Sequence, residues 1–568
     1  MGKAARRKKV DKSPLADGEG RCTVDPSSRK VAAPVTPSPP PRAWRRWVGP
    51  ALCALLVVSF LALKCFALHP QRVDEGIYFY DAQRLADGVR LYRDLFFAHP
   101  PLQLVLPTLL VKLLGNAFLP LKWLPQLFGA AQGVLAYLLA RRVLARNPGE
   151  PAELAGVLAC ATLLFAEDFL KASSYFTDIN QADALLFAGL FAVLVRGPAL
   201  GGVLAGAGAM VLLQVAPVAA VLGVWLFLTD KPAARRYAIG LGAVLLLVHL
   251  VALVRGGGAF VNQVYLYQLN KVATEGSGTA QIGFLLADDT LLLAGGTVAL
   301  GLGCFLESDA RARSVLRLLA ACVVVETFAM ATRPKVFPFY FQPAFLPCAL
   351  GLGWAASAGV RRFLEGKRVA GAALAAGPIA IPLVLGAQLT SVFSPARAEQ
   401  RRTYAQVYHW QDAPHLGPLN GVVRALFWDD GIRTADSSHL AVTEYLWNQS
   451  RGFDACPAIV EQVTRTSGPD DTLFGDSAAA PLVAFLAGRR LTADLADTNV
   501  QRFTSGATTV EEGVALVERE GPPRLVIASG HAGLFSLPGW QTWLAAHYVR
   551  ARDFADSNGT QYTLYQRQ

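Results

Sequence analysis

The chain has 568 residues, 53% of them hydrophobic and only 17% charged. That balance, with the apolar residues gathered in long runs, excludes a soluble globular protein and points to a polytopic membrane protein with soluble pieces. The formal net charge is +11, but residues 1–46 hold 12 Lys/Arg against 4 Asp/Glu, which is +8 of it; this is a basic tail before a first span, not a nucleic-acid footprint.

Residues 1–43 are rich in Lys, Arg, Pro and Ser without an apolar period and read as a disordered cytoplasmic tail. Arg42, Arg45 and Arg46, with Trp44 and Trp47, mark the inner interface of a first span, about Trp47 to Leu68. That span lies too deep in the chain, and is too long, for a cleaved signal peptide. An external loop over 69–120 follows. Two adjacent carboxylates, Asp74 and Glu75, stand where the span leaves the bilayer, and a short helix-like segment runs to Gly88. Tyr92, Phe96 and Phe97 lead to His99-Pro100-Pro101, where Pro101 suits the first turn of a new helix. The stretch Pro101–Gly115 is short and interrupted by Pro107 and Lys112. It reads as a helix lying at the outer interface, because that choice puts Arg141, Arg142 and Arg146 inside.

Further spans are expected near 121–144, 152–166, 182–196, 199–213, 216–229, 236–254, 291–306, 313–331, 338–358 and 370–391, about eleven in all. The inner connections are then rich in Lys and Arg. The outer ones carry only Lys171, Arg255, Lys271, Arg333 and Lys335, except the first external loop with Arg72, Arg84, Arg90, Arg93, Lys112 and Lys122. From about residue 394 the charge rises and the apolar runs shorten. Strand-like runs (Thr472-Leu-Phe, Arg524-Leu-Val-Ile-Ala) alternate with helix-like ones (Pro457–Thr466, Ala478–Ala487, Val510–Glu520), which predicts a small α/β domain over 394–568. With an odd number of spans it lies outside. Eight cysteines show no CxxC, and only Cys456 falls in this domain, so neither a disulfide framework nor a zinc site is written there. Asn448-Gln-Ser and Asn558-Gly-Thr match glycosylation acceptors, a pattern that also arises by chance.

Several residues carry a chemical reading beside a plain one. Asp74 and Glu75, backed by aromatics, suit binding or activation of a polar substrate, though charges also simply belong at an interface. His99 is either a phosphate contact or a satisfied structural group. In a second external loop, Asp178 precedes Asp183, which opens a span; capping of that helix is the plain reading of Asp183. Arg333-Pro-Lys335, just before Phe337-Pro-Phe-Tyr340, suits a phosphate, or snorkelling to lipid headgroups. Asp288-Asp289 has no assigned role.

Taken in order, Asp-Glu after the first span, Ala-x-x-Leu-x-x-Gly, Leu-Tyr-x-Asp and His-Pro-Pro-Leu resemble the first external loop of the GT-C membrane glycosyltransferases. The nearest branch is that of the protein O-mannosyltransferases and the lipid A aminoarabinose transferases. The resemblance is strongest over Asp74 to about Asp183 and looser to about residue 390. It implies transfer of a sugar from a polyprenyl-phosphate donor to a lipid, glycan or protein acceptor on the outer face. It also implies inversion at the anomeric carbon, with Asp74 as base, Glu75 as its helper, and His99, Arg333, Lys335 and Tyr340 on the donor phosphate. Asp183 matches an acidic residue the family has in the second loop, and Asp178 stands with it as an acceptor or second-loop residue. The sequence departs from the aminoarabinose transferases at His99, where they have Lys-Pro, and at Ile77, where they often carry Arg; the acceptor is left open.

The sequence thus predicts a GT-C-like polytopic α-helical membrane protein, with about 11 transmembrane helices and a small C-terminal extramembrane α/β domain. It belongs in a bacterial inner membrane, N-terminus cytoplasmic and C-terminal domain periplasmic. Expected partners are membrane lipids, the polyprenyl-phosphate sugar and its acceptor, with no nucleic acid. No residue spacing requires a divalent metal or other cofactor. The alternatives are a transporter or flippase of lipid-linked sugars, which would gather its charges near the midplane, and a non-catalytic scaffold that presents the C-terminal domain.

Overall fold

The computed structural model describes residues 45–65, 68–72, 74–144, 152–271, 289, 291–333, 338–393, 452–530, 533–556 and 559–568. The expected tail over 1–43, the triplet Asn448-Gln-Ser, Asn558 of the second triplet, Lys335 and Asp288 lie outside the described residues. Trp47–Gln568 forms one compact unit.

Helix α1, Arg45–Lys64, leads to α2, Glu75–Ala86, which ends just before Gly88 at φ +95°. A 3-10 turn at Pro101–Leu104 opens α3, Val105–Leu114. Then come α4 (Phe118–Leu144), α5 (Ala152–Leu164), α6 (Glu167–Ala172), α7 (Asp178–Leu194), α8 (Pro198–Ala209), α9 (Ala216–Thr229) and α10 (Lys231–Gly256). Two short helices, α11 (Gly258–Val261) and α12 (Tyr267–Leu269), flank a π-helical turn at Asn262–Leu266. Four long segments follow: Leu291–Leu306, Ala310–Ala331, Gln342–Leu364 and Arg368–Phe393. A helix therefore stands at each of the positions expected to cross. Among the described residues, five helices are long and apolar enough for that by length and composition: Trp47–Lys64, Phe118–Val143, Lys231–Gly256, Ala310–Ala331 and Phe339–Leu364.

Packing follows residue size and hydropathy. Phe339–Leu364 is almost wholly buried at the centre of the bundle, whereas Lys231–Gly256 turns Leu246, Leu247, Leu250 and Val254 outward, a face suited to lipid. Helices α7 and α8 approach so closely that a Cβ at Gly189 would stand 2.8 Å from the Gly201 carbonyl oxygen. Arginines close exposed helix ends: Arg142 and Arg311 both donate to the last carbonyl of α7, Leu194, at 3.5 and 3.4 Å.

The span expected to open at Asp183 begins earlier. Thr177 is extended (φ −122°, ψ 163°) and the helix starts at Asp178, so Asp183 lies in its second turn and caps nothing. Its carboxylate is fully buried, without a hydrogen-bond partner.

The C-terminal domain holds a five-stranded sheet in the order β2-β1-β3-β5-β4: β1 Thr472–Gly475, β2 Arg490–Leu491, β3 Leu525–Ser529, β4 Tyr548–Ala555 and β5 Gln561–Arg567. The first three are parallel, with Leu473 opposite Leu525; β5 runs antiparallel to β3, with Val526 opposite Tyr565. Parallel strands need crossovers, supplied by helices such as Val510–Glu520, which begins with a Thr509/Glu512 capping box. Phe474 and Trp540, with ring centroids 4.9 Å apart, fill one face of the sheet.

This domain sits directly on α2. A Cβ at Gly76 would meet Leu482 Cβ at 2.8 Å, so a glycine is needed where α2 crosses the helix Ala480–Ala487. Two polar ties reinforce the contact. Arg84 Nε donates to Asp494 Oδ1 at 2.7 Å, and the Tyr80 hydroxyl donates to the same oxygen at 2.8 Å. Tyr80 in turn accepts the Leu491 N–H at 2.8 Å, which anchors β2 to α2.

Candidate functional site: a polar cavity between the helical bundle and the C-terminal domain

A cavity of about 540 Å³ opens where the start of α2, the 96–100 loop, residues 212–214, residues 264–271 and the residues around Arg333 and Tyr340 meet the C-terminal domain, within the usual small-molecule range of roughly 300–1,000 Å³. Its wall includes Asp74, Tyr78, His99, Gln214, Tyr267, Gln268, Lys271, Arg333, Tyr340, Asp497, Asn499 and Gln501.

The α2 side follows from helix geometry. Asp74 is the N-cap, yet its side chain makes no capping bond to the helix. Asp74, Ile77 and Tyr78 lie at i, i+3 and i+4 on one face, and all three line the cavity. Glu75 is one position on, about 100° around the axis, and is not in the wall. It is fully buried, with both carboxylate oxygens 2.8 Å from Lys122 Nζ on α4, itself fully buried. A third bond, from the Phe176 N–H at 3.1 Å, ties the second external loop to it. Burial raises the Glu75 pKa, while the Lys122 charge and these bonds draw it back down. Lys64, at the end of α1, holds the same loop through Ser174 Oγ at 2.7 Å and the Leu170 carbonyl.

His99 has a polar neighbour at each ring nitrogen. Nε2 lies 3.3 Å from the Tyr78 hydroxyl, and Nδ1 lies 2.9 Å from Asp178 Oδ2. Asp178, which is not itself in the wall, thus sets the orientation of a ring that is. The peptide before His99 is clamped. Tyr92 takes φ +69° and donates its hydroxyl to the His99 carbonyl at 2.8 Å. Gln263 accepts from the Phe97 N–H and donates to the Tyr92 carbonyl, while Gln268 donates to the Ala98 carbonyl. The π-helical turn lets the 258–269 segment aim Gln263 and Gln268 at this loop. Tyr78 is buried among charges: burial raises its hydroxyl pKa strongly, and Asp74, Asp178 and Asp497 raise it further.

Arg333 and Tyr340 reach the cavity from either side of the 334–337 segment. Burial lowers the Arg333 pKa, against the charges of Glu326 and Tyr340; a guanidinium remains charged under such shifts. The cavity is polarised: the carboxylates Asp74 and Asp497 share a wall with the cations Arg333 and Lys271 and with His99. Such a space suits a ligand carrying both an anion and hydroxyl groups.

The structure thus brings together Asp74, His99, Arg333 and Tyr340 of the residues singled out in the sequence, with Asp178 at ion-pair distance behind His99. Glu75 and Asp183 stand away from the cavity wall. Lys271, Gln214, Gln268, Tyr267 and the 497–501 segment were not singled out. Lys271 stood among the few outer-side cations, which was a usable signal; the polar 497–501 stretch carries none that is visible locally. Among the described residues no three His, Cys, Asp or Glu gather as metal ligands.

No protein-family model and no curated protein sequence matches the chain. Solved structures do. ArnT from Cupriavidus metallidurans bound to undecaprenyl phosphate superposes with a TM-score of 0.58 over 90% of this chain and 97% of its own, at 17% identity. The apo state of that protein gives 0.57 over 91% and 98%, at 16% identity. The oligosaccharyltransferase of Archaeoglobus fulgidus, in its apo form, gives 0.50 over 85% and 70%, at 12% identity. These neighbours are GT-C glycosyltransferases, and the chain has their fold: an ArnT-like helical membrane bundle with a small C-terminal sheet domain.

Proposed function

We propose that this protein is a glycosyltransferase that moves a sugar from a polyprenyl-phosphate donor to an acceptor at the outer face of the membrane. The observation that carries the reading is the convergence of Asp74, His99, Arg333 and Tyr340, from separate segments, on one polarised cavity. It is supported by a fold shared with a protein whose structure holds undecaprenyl phosphate. The acceptor hydroxyl or amine attacks the anomeric carbon and loses its proton to Asp74. The bond from that carbon to the phosphate oxygen breaks, and the lipid phosphate leaves with the electron pair. A single displacement inverts the anomeric centre. A positioned carboxylate base is worth roughly 10²–10⁴-fold in rate. Arg333, with Lys271 and His99 beside it, neutralises charge on the departing phosphate. Asp178 orients His99, and Glu75 holds α2 and the second loop in place through Lys122. Lys335 remains a candidate for the same phosphate. Asp183 takes no part in transfer.

About eleven helices cross the membrane, with residues 1–43 cytoplasmic, 44–393 forming the catalytic membrane domain and 394–568 periplasmic. The Arg141–Arg146 connection is cytoplasmic. Cysteines introduced at Ala145 and at the exposed Ala507, in a chain whose exposed Cys65 is replaced by Ser, separate this arrangement from others: an impermeant thiol reagent added outside should label only the second. Function is tested by incubating purified protein with undecaprenyl-phosphate sugars and envelope acceptors and following release of undecaprenyl phosphate; a protein that binds the donor but never releases it favours a flippase.

A further inference from the structure

The C-terminal domain does more than cover the cavity. After β2 the chain enters a 3-10 turn at Thr492–Asp494 in which Ala493 (φ +55°) and Asp494 (φ +50°) both adopt the left-handed region. Two successive non-glycine residues there are disfavoured and persist where the surroundings hold them. Asp494 is held by Arg84 and Tyr80 of α2. The turn redirects the chain so that residues 497–501 run along the cavity. Thr498 is buried and pins the segment by donating to the Gly475 carbonyl at 2.8 Å, at the carboxyl end of β1. Arg502, also buried, donates to the Asp497 carbonyl at 2.9 Å and lies 4.2 Å from the centre of the Phe96 ring. A bonding relay sets the spacing: Asp497 Oδ1 accepts the Asn499 N–H and Asn499 Oδ1 accepts the Gln501 N–H, each at 3.1 Å. The result is a carboxylate and two carboxamides presented at alternate positions along one wall.

That chemistry differs from that of the basic residues lining the same cavity. Arg333, Lys271 and His99 suit an anion; Asp497 repels one. Carboxylates and carboxamides pair well with hydroxyl groups, since each offers acceptors and the amides also donate. A site that hydrogen-bonds a substrate hydroxyl rejects analogues lacking it far more strongly than an apolar pocket does.

Building on the donor reading above, we propose that Asp497, Asn499 and Gln501 form the sugar-recognition wall, selecting the polyprenyl-phosphate donor by the hydroxyl pattern of its sugar. The membrane bundle holds the phosphate and the base, and the C-terminal domain chooses the sugar.

The test compares binding of bare undecaprenyl phosphate with undecaprenyl-phosphate mannose, glucose and arabinose, in detergent and without acceptor. Asp497→Asn keeps an acceptor for the Asn499 N–H, and Gln501→Ala leaves the Asn499 cap intact, so both preserve the turn. Wild-type protein should bind at least one of these sugars more tightly than the bare lipid phosphate. Each variant should weaken that preferred donor by about tenfold, the scale of one good hydrogen bond to a charged or buried group, leave the bare lipid phosphate within about twofold, and flatten the preference among sugars. Arg333→Ala should weaken all four ligands alike. Equal losses for bare and sugar-bearing lipid would mean a structural role and overturn the proposal. Unchanged donor binding with a raised acceptor KM would assign the wall to the acceptor and overturn it too, as would a wild type that binds no sugar better than the bare lipid phosphate. A wild type that binds none of the four removes the donor reading itself, and this proposal with it.

Discussion

Asp74 and Glu75 are adjacent in the chain and face opposite surroundings: Asp74 lines the cavity, while Glu75 is sealed in an ion pair with Lys122, both oxygens 2.8 Å from the ammonium nitrogen. Breaking a buried pair by removing one partner leaves an uncompensated charge and costs roughly 3–5 kcal/mol. Glu75→Gln should therefore lower thermal stability sharply and loosen the loop around Phe176, and its activity should fall with the folded fraction. Melting curves alongside turnover per folded molecule check this. A stable Glu75→Gln protein with little turnover would instead give Glu75 a direct part in the chemistry.

The latch between α2 and the C-terminal domain gives a second expectation. Arg84 and Asp494 side chains are about 10% and 12% exposed, and Arg84 is paired through Nε at 2.7 Å. Arg84→Ala should release the strained turn at Ala493 and Asp494. Hydrogen exchange over 490–501 should speed up, while exchange within the membrane helices stays unchanged. Unaltered exchange in that segment would mean the turn holds its own shape.

A third concerns pH. Asp81, on α2, is fully buried with neither oxygen hydrogen-bonded; burial first, then the charges of Asp497 and Asp494, lift its pKa well above the usual carboxylate range, against Arg502. A folded-state pKa above the unfolded one means that the folded protein binds the extra proton. The stability contributed is therefore greatest at low pH and is lost as pH rises from about 4 towards the folded pKa. Asp81→Asn should keep the fold, raise Tm at neutral pH and flatten the dependence of Tm on pH. A lower Tm at neutral pH in Asp81→Asn would show that the carboxylate has a charged role.

A fourth addresses the phosphate. Arg333→Ala should weaken undecaprenyl phosphate binding by roughly 1.5–3 kcal/mol, the worth of a hydrogen bond to a charged group. The loss should shrink in high salt, because a screened contact has less to lose. Titration at two ionic strengths decides it. Unchanged binding in both would reassign Arg333 to lipid headgroups.

How much of this was legible in the sequence varies by element. The first external loop was readable because its signals are local: α2 ends before Gly88, and Pro101 opens a turn of helix where its missing N–H is harmless. In the C-terminal domain, Val510–Glu520 announces itself by a capping box, and β3 by a branched apolar run. Asp183 was misplaced because Asp178-Ile-Asn-Gln looks like a polar loop. In the structure those side chains are buried, and tertiary burial outweighs local polarity. Lys122 read as one more outer cation, since nothing in its neighbours shows that it meets Glu75. The 497–501 wall was invisible for the same reason: it reaches the cavity through contacts such as Arg84–Asp494 and Thr498–Gly475, between residues apart in sequence.

The most direct measurement is sugar transfer by Asp74→Asn at saturating undecaprenyl-phosphate sugar, with Tm and donor affinity recorded on the same preparation. Asparagine keeps the size of the side chain and cannot take the acceptor's proton. The account predicts turnover reduced by about 10²–10⁴-fold, with Tm and donor binding close to wild type and no rescue by added donor. Near-normal turnover in Asp74→Asn would contradict it.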